Sequence, residues 1–264
     1  MEVPEPNINY YDSDEIVGVI NFHRDFYSEI LSNERDIIVW LPPSYLNSQK
    51  RFPVLYMNDG QNLFFPHLSY IGYDWKVDET ASQLISEGRI EEIIIVGINN
   101  SIDRLDEYNW FTEKGQKYAS FIIDELKPFI DETYNTLPEK DNTAIMGSSM
   151  GGLNSFQLVW NYPEVFGKAG CMSNSFWVNN QQIFMMVKNN HHKIKDVKLY
   201  LDCGELETSL ISDNIKMCKY LKKIGYKKGN NLLCHFEEGA VHSEVDWAKR
   251  LHIPLTFLFG INNE

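Results

Sequence analysis

The run Ile93-Ile94-Ile95-Val96 is apolar and β-branched at every position. A strand with one wet face alternates apolar and polar residues, whereas one that is apolar on both faces must be covered above and below, as a central strand of a parallel sheet is. That requirement restricts the chain to layered folds with helices on both sides of a sheet. The rest of the sequence supplies strands and helices in alternation. Residues 36–41 and 53–57 read as strands, closed by Pro42-Pro43 and by Asn58-Asp59-Gly60. Val77, Ala81, Leu84 and Ile85 fall at i, i+4, i+7 and i+8 and form one helical stripe, which Gly88 stops. A second stripe runs through Tyr118, Phe121, Ile122, Leu126, Phe129 and Ile130, with a bend expected at Pro128. Strands at 144–147, 168–172, 197–201 and 232–236 then alternate with helices that end at Trp160, span 211–221 and start near Glu244. The expectation is an α/β fold with a mostly parallel central sheet and helices on both faces, one domain over residues 1–264. The irregular segment 173–195, rich in Asn and aromatic residues, is a candidate small cap.

Within this alternation, Gly147-Ser148-Ser149-Met150-Gly151-Gly152 joins an apolar strand to a helix and sets Ser149 between two glycines. This is the layout of a nucleophile elbow, although a serine and glycines before a helix also suit a plain cap or tight loop. A serine hydroxyl at neutral pH is a poor nucleophile and has to be aimed at a base while staying exposed. A sharp strand-to-helix turn does both, and Gly147 and Gly151 let strand and helix approach without a clash. The elbow predicts an esterase-like hydrolase and requires an acid and then a histidine further along the chain.

Seven histidines compete for the base. His242 lies in a loop between the last strand and the last helix, from which a side chain reaches back over the sheet edge. His235 sits inside a strand run and His252 inside the final helix, while His23, His67, His191 and His192 violate the expected order of serine, acid and histidine. The acid should follow the strand 197–201, where Asp202, Glu205 and Glu207 are available, and spacing alone does not decide among them. The developing oxyanion needs donors set in advance. The N–H of Met150, just after the serine, is one, and Gln61, in the turn after the strand 53–57, is the other.

The remaining composition narrows the partners. A formal net charge of −13 argues against nucleic acid and anionic membranes, and suits a small-molecule or polymeric neutral substrate. No window approaches the roughly 18 uninterrupted apolar residues of a membrane span. Met1 to Glu5 is acidic where a secretion signal is basic and then apolar, so a soluble chain is expected, cytoplasmic or secreted with its leader removed. Cys171, Cys203, Cys218 and Cys234 share no short spacing and read as buried free thiols. His191 and His192 are adjacent and on a helix diverge by about 100°. No metal or cofactor signature is present.

Several further segments belong together: Leu41-Pro42-Pro43-Ser44-Tyr45, Pro53 to Tyr56 with Asp59-Gly60-Gln61-Asn62-Leu63-Phe64, and Val96-Gly97-Ile98-Asn99-Asn100. With the elbow and with His242-Ser243-Glu244 and Trp247, the set resembles the esterase group of α/β-hydrolases. That group takes in enterochelin-type siderophore esterases, esterase D, mycolyltransferases and the feruloyl and acetylxylan esterases of carbohydrate esterase family 1. The resemblance runs from about residue 35 to the C-terminus. It implies Ser149 as nucleophile, His242 as base and an oxyanion amide at Gln61. It also implies an acid at the end of a Gly-x-x-Asp/Glu motif, which falls on Glu207, a Glu where many relatives carry Asp. Aromatic residues near the strand ends, Phe64, Trp75, Trp110 and Trp177 among them, suit a planar phenolic acyl group or a sugar face. On that ground a feruloyl-type esterase acting on plant cell-wall carbohydrate ranks first. Siderophore or acetylxylan ester hydrolysis is the alternative, and a non-catalytic binding domain comes last.

Overall fold

The computed structural model describes residues 16–189 and 195–261. The acidic start at Met1 to Glu5, His191, His192 and residues 190–194 of the candidate cap lie outside the described residues. Among the described residues eight strands form one mixed sheet: β1 (Val19–Ser28), β2 (Asn33–Leu41), β3 (Val54–Asn58), β4 (Ile94–Ile98), β5 (Thr143–Ser148), β6 (Lys168–Met172), β7 (Lys198–Gly204) and β8 (Leu232–Glu237). Their order is β1-β2-β4-β3-β5-β6-β7-β8, with β1 and β2 antiparallel to their neighbours and every later pairing parallel. The mostly parallel sheet of the sequence reading is therefore the observed one. β1, which that reading missed, is a hairpin partner of β2 whose register breaks between His23 and Phe26, and the break spoils its alternation.

Helices cover both faces because each central strand deals its side chains alternately to two cores. On β3, Val54 and Tyr56 enter one core while Leu55 and Met57 enter the other, and on β5 Ile145 opposes Ala144 and Met146. The first core is closed by helices α3 (Glu113–Ser120), α4 (Lys127–Thr133), α5 (Met150–Asn161), α6 (Val178–Asn189) and α7 (Ile211–Lys223). The short helix α2 (Arg104–Glu107) sits between β4 and α3. The second core is closed by α1 (Val77–Ser86), α8 (Glu244–Arg250) and α9 (His252–Phe259). Between α3 and α4, residues Phe121–Leu126 form a wide π-type turn ahead of Pro128, which has no N–H to give and whose ring crowds the preceding turn. The closing helix is likewise two segments, and Pro254 falls in the first turn of α9.

One expectation is corrected. Cys218 on α7 and Cys234 on β8 form a disulfide, with Cα atoms 6.3 Å apart, while Cys171 and Cys203 are buried free thiols. The packing of α7 beside the sheet brings together two cysteines whose separation of 16 residues carries no recognisable spacing. No helix among the described residues is long and apolar enough to cross a membrane.

Asp78, fully buried in the first turn of α1, accepts the Val17 N–H at 2.8 Å and so ties down the chain ahead of β1. Burial above all, with the neighbouring Glu79 carboxylate adding to it, pushes its carboxyl from the ordinary 3.8 up to about 7. Folding thus favours the protonated form. The stability this contributes is present in full below about pH 4 and is lost as pH rises through about 7. Asp78→Asn is expected to gain on the wild type by on the order of 1–3 kcal/mol between pH 4 and pH 8. Urea midpoints measured at both pH values check this, and a pH-independent difference contradicts it.

Candidate active site

Ser149 is the single residue between β5 and α5, and its backbone sits at φ 57°, ψ −118°, a region costly for any residue with a Cβ. Hydrogen bonds on either side hold it there. Its N–H donates to the Met172 carbonyl at 2.9 Å, and its own carbonyl accepts from Leu153 and Ser175. The bend also demands close approach, since a Cβ on Gly147 would lie 2.8 Å from the Gly151 backbone and one on Gly152 only 2.7 Å from the Met172 carbonyl.

His242 reaches this serine from the loop between β8 and α8. Its Nε2 lies 3.0 Å from Ser149 Oγ and its Nδ1 2.7 Å from Glu207 Oε2. Trp247 stands edge-on to the imidazole at 4.8 Å between ring centres and fixes the ring plane from the side. Glu207 is 5% exposed, and burial by itself would raise its carboxyl. Hydrogen bonds from His242, Ser173 and the Gly204 N–H outweigh burial and hold it below the usual carboxylate value, so it is ionised. An ionised acceptor on Nδ1 makes that nitrogen the donor and leaves Nε2 to accept from the serine hydroxyl.

The other two carboxylates lie elsewhere. Asp202, fully buried on β7, is gripped by Arg250 of α8 through Nε at 2.9 Å and Nη2 at 3.2 Å, and also accepts from Tyr200 and from the Ser173 N–H. Glu205 is exposed and caps the Gly239 N–H.

The turn after β3 is clamped from several sides. Asp59, in left-handed conformation, takes Arg104 Nε at 2.6 Å and Nη2 at 2.8 Å, together with Asn100 Nδ2 at 2.6 Å. A Cβ on Gly60 would fall 2.6 Å from the Gly97 backbone, so the turn lies flat on β4. Gln61 is pinned by its side chain, whose Oε1 accepts the Asn100 N–H at 3.2 Å. The Met150 N–H opens α5, where first-turn amides have no acceptor within the helix.

A cavity of about 650 Å³ opens on this group, lined by Ser149, His242, Gln61, Asp59, Arg104, Asn100, Glu244, Leu68, Ile71 and the aromatic walls Tyr70 and Trp247, among others. None of the four aromatics singled out in the sequence lines it. Phe64 and Trp75 are buried in the second core, Trp75 against Trp247, because large rings fill the space behind the loops. Trp110 packs half-buried on the first core, and Trp177 is 56% exposed just ahead of α6. Tyr70, Arg104, Ser173 and Arg250 are the neighbours that sequence reasoning missed. Tyr70, Arg104 and Ser173 share a signal of position, since they lie on connections leaving the carboxyl ends of strands, where sites in such sheets gather, whereas Arg250 ends helix α8. Among the described residues no group of three or more His, Cys, Asp or Glu side chains is set to hold a metal ion.

The comparisons with known proteins agree with this architecture. Among curated relatives, the uncharacterized protein YbbA of Bacillus subtilis is 28% identical over 255 residues, 89% of this chain and 96% of that protein. A Xylanibacter ruminicola protein described as endo-1,4-beta-xylanase/feruloyl esterase is 26% identical over 283 residues, 98% of this chain but 34% of that longer protein. A solved ferulic acid esterase superposes with a TM-score of 0.75 at 23% identity, over 91% of this chain and 97% of that one. The enterobactin esterase FES of Shigella flexneri does so at 0.73 and 18%, over 93% of this chain and 60% of that one. Both structural likenesses carry the fold, which is that of the α/β-hydrolases. The family model described as "Putative esterase" matches residues 28–257, nearly the whole of the sheet and its helices, and the chain belongs to that family.

Proposed function

We propose that this protein is a serine carboxylic-ester hydrolase that works through an acyl-enzyme, with Ser149 as nucleophile, His242 as base and Glu207 as acid. The continuous hydrogen-bonded line from Ser149 Oγ through His242 to Glu207, at 3.0 and 2.7 Å, is the observation that carries this reading. His242 Nε2 takes the hydroxyl proton as Ser149 attacks the ester carbonyl. The amides of Met150 and Gln61 receive the charge on the carbonyl oxygen, and the alcohol leaves with the proton held by His242. Water then enters, loses its proton to His242 and frees the acid. Glu207, already ionised, stabilises the imidazolium that forms in each step.

For the substrate we favour a feruloyl-type ester of plant cell-wall carbohydrate. Two proteins similar to this chain carry ferulic or feruloyl esterase in their descriptions. Tyr70, 85% exposed on the cavity wall, offers a flat face to a phenolic ring or a sugar. An acetyl group would leave most of a 650 Å³ cavity empty. The second reading, a siderophore ester, draws on the likeness to an enterobactin esterase. Against it, Arg104 is already paired with Asp59, and Glu244 lines the same cavity, which weakens the hold on an anionic iron chelate. With a net charge of −13, a nucleic-acid partner is disfavoured.

Ser149→Ala is expected to lower turnover by roughly a million-fold and to abolish labelling by a fluorophosphonate, and Glu207→Gln to lower kcat by roughly ten-thousand-fold. Turnover of methyl ferulate, acetylated xylan, a short-chain aryl ester and a catecholate trilactone ranks the substrates. Unreduced activity in Ser149→Ala would sink the nucleophile assignment. A base has to be free to accept the serine proton, so kcat/KM should fall on the acid side, and Glu207, held ionised below its ordinary range, should add no step of its own above that range. A profile flat from about pH 4 to pH 8 contradicts the base.

A further inference from the structure

Behind Glu207 lies a hydroxyl whose every hydrogen-bonding capacity is used. Ser173 is fully buried at the carboxyl end of β6 and stands at φ 45°, a left-handed conformation that a serine adopts only where its surroundings compel it. A hydroxyl has one proton to donate and two lone pairs to receive. Trp247 Nε1–H donates to Ser173 Oγ at 2.9 Å and Arg250 Nη2–H donates to it at 2.8 Å, so both lone pairs are taken. The hydroxyl proton therefore has one direction left, and there it meets Glu207 Oε1 at 2.6 Å. The Gly204 N–H donates to the same oxygen at 2.7 Å, and Oε2 remains for the imidazole.

We infer that Ser173 is a positioning residue for the reaction proposed above, a fixed donor that Trp247 and Arg250 orient so that Glu207 presents Oε2 alone to His242. The inference rests on that reading of the site. Two indole contacts serve one end, since Trp247 both holds the His242 ring edge-on and sets the Ser173 proton. Arg250 has a double part as well. It pairs with the buried Asp202 and donates its Nη2–H to Ser173, and the same Nη2 lies 3.5 Å from Glu207 Oε1, so its charge also supports the ionised Glu207 from the side away from the imidazole. Cys203, the remaining titratable neighbour of Glu207, is held as the neutral thiol, first by burial and then by the carboxylates of Glu207 and Asp202.

Loss of the Ser173 donor returns negative charge to Oε2 and frees the carboxylate to turn. The imidazolium is then held more strongly, and the acid limb of the profile moves to higher pH while kcat falls. The test compares S173A with S173G on one ester substrate, and adds W247F, which keeps a ring beside His242 but removes the indole N–H. Glycine relieves the left-handed backbone, so S173G separates strain from hydrogen bonding. Folding is checked by the urea midpoint of each variant. Both Ser173 variants are expected to lose roughly tenfold or more in kcat with KM little changed, from removal of one hydrogen bond to a charged group, and W247F to move the acid limb in the same direction. Folded S173A and S173G with wild-type kcat and an unmoved acid limb overturn the inference while leaving the proposed reaction intact. An ester activity that survives Ser149→Ala overturns both.

Discussion

Keeping a carboxylate ionised almost entirely out of water is the demand around which this site is built. An uncompensated charge in such a place takes up a proton instead, and a protonated Glu207 could not serve the reaction proposed above. The chain meets the demand with three donors from three stretches of sequence: the Gly204 amide on β7, the Ser173 hydroxyl after β6 and His242 after β8. Each stands at the carboxyl end of a parallel strand, so the arrangement needs neighbouring strands to end at one level. Sheet order supplies this, since β6, β7 and β8 are consecutive.

The same geometry governs the serine side. Ser149 leaves β5 in a backbone conformation that is tolerated only because β6 and α5 bond its N–H and its carbonyl. The Gly60 turn is pressed onto β4 and locked by the Asp59–Arg104 pair. Both proposed oxyanion donors are thus backbone groups in segments with little freedom, which lowers the reorganisation needed when charge develops. The strain at Ser149 and Ser173 is sustained by a large two-sided core, in which β3 and β5 contribute residues to both faces.

Most of the fold was legible in sequence because burial on two faces leaves a strong pattern, as at Ile93 to Val96, and Gly147 to Gly152 gained its meaning from the strand before it and the helix, carboxylates and histidine after it. The choice among Asp202, Glu205 and Glu207 was not legible from the residues themselves. Asp202 points from β7 into the second core, where Arg250, 48 residues away, awaits it. An arginine in an amphipathic helix reads as surface until that partner is known. The aromatics failed for a different reason, since Phe64 and Trp75 sit beside the site in sequence but behind it in space. β1 escaped notice because a bulge interrupts its alternation.

The bond between Cys218 and Cys234 bears on more than the packing of α7 against β8. Among the described residues β8 is the last strand of the sheet, and such margins are prone to peel or to zip onto a foreign chain. Riveting that margin to α7 roots the strand from which the His242 loop departs, eight residues before the imidazole.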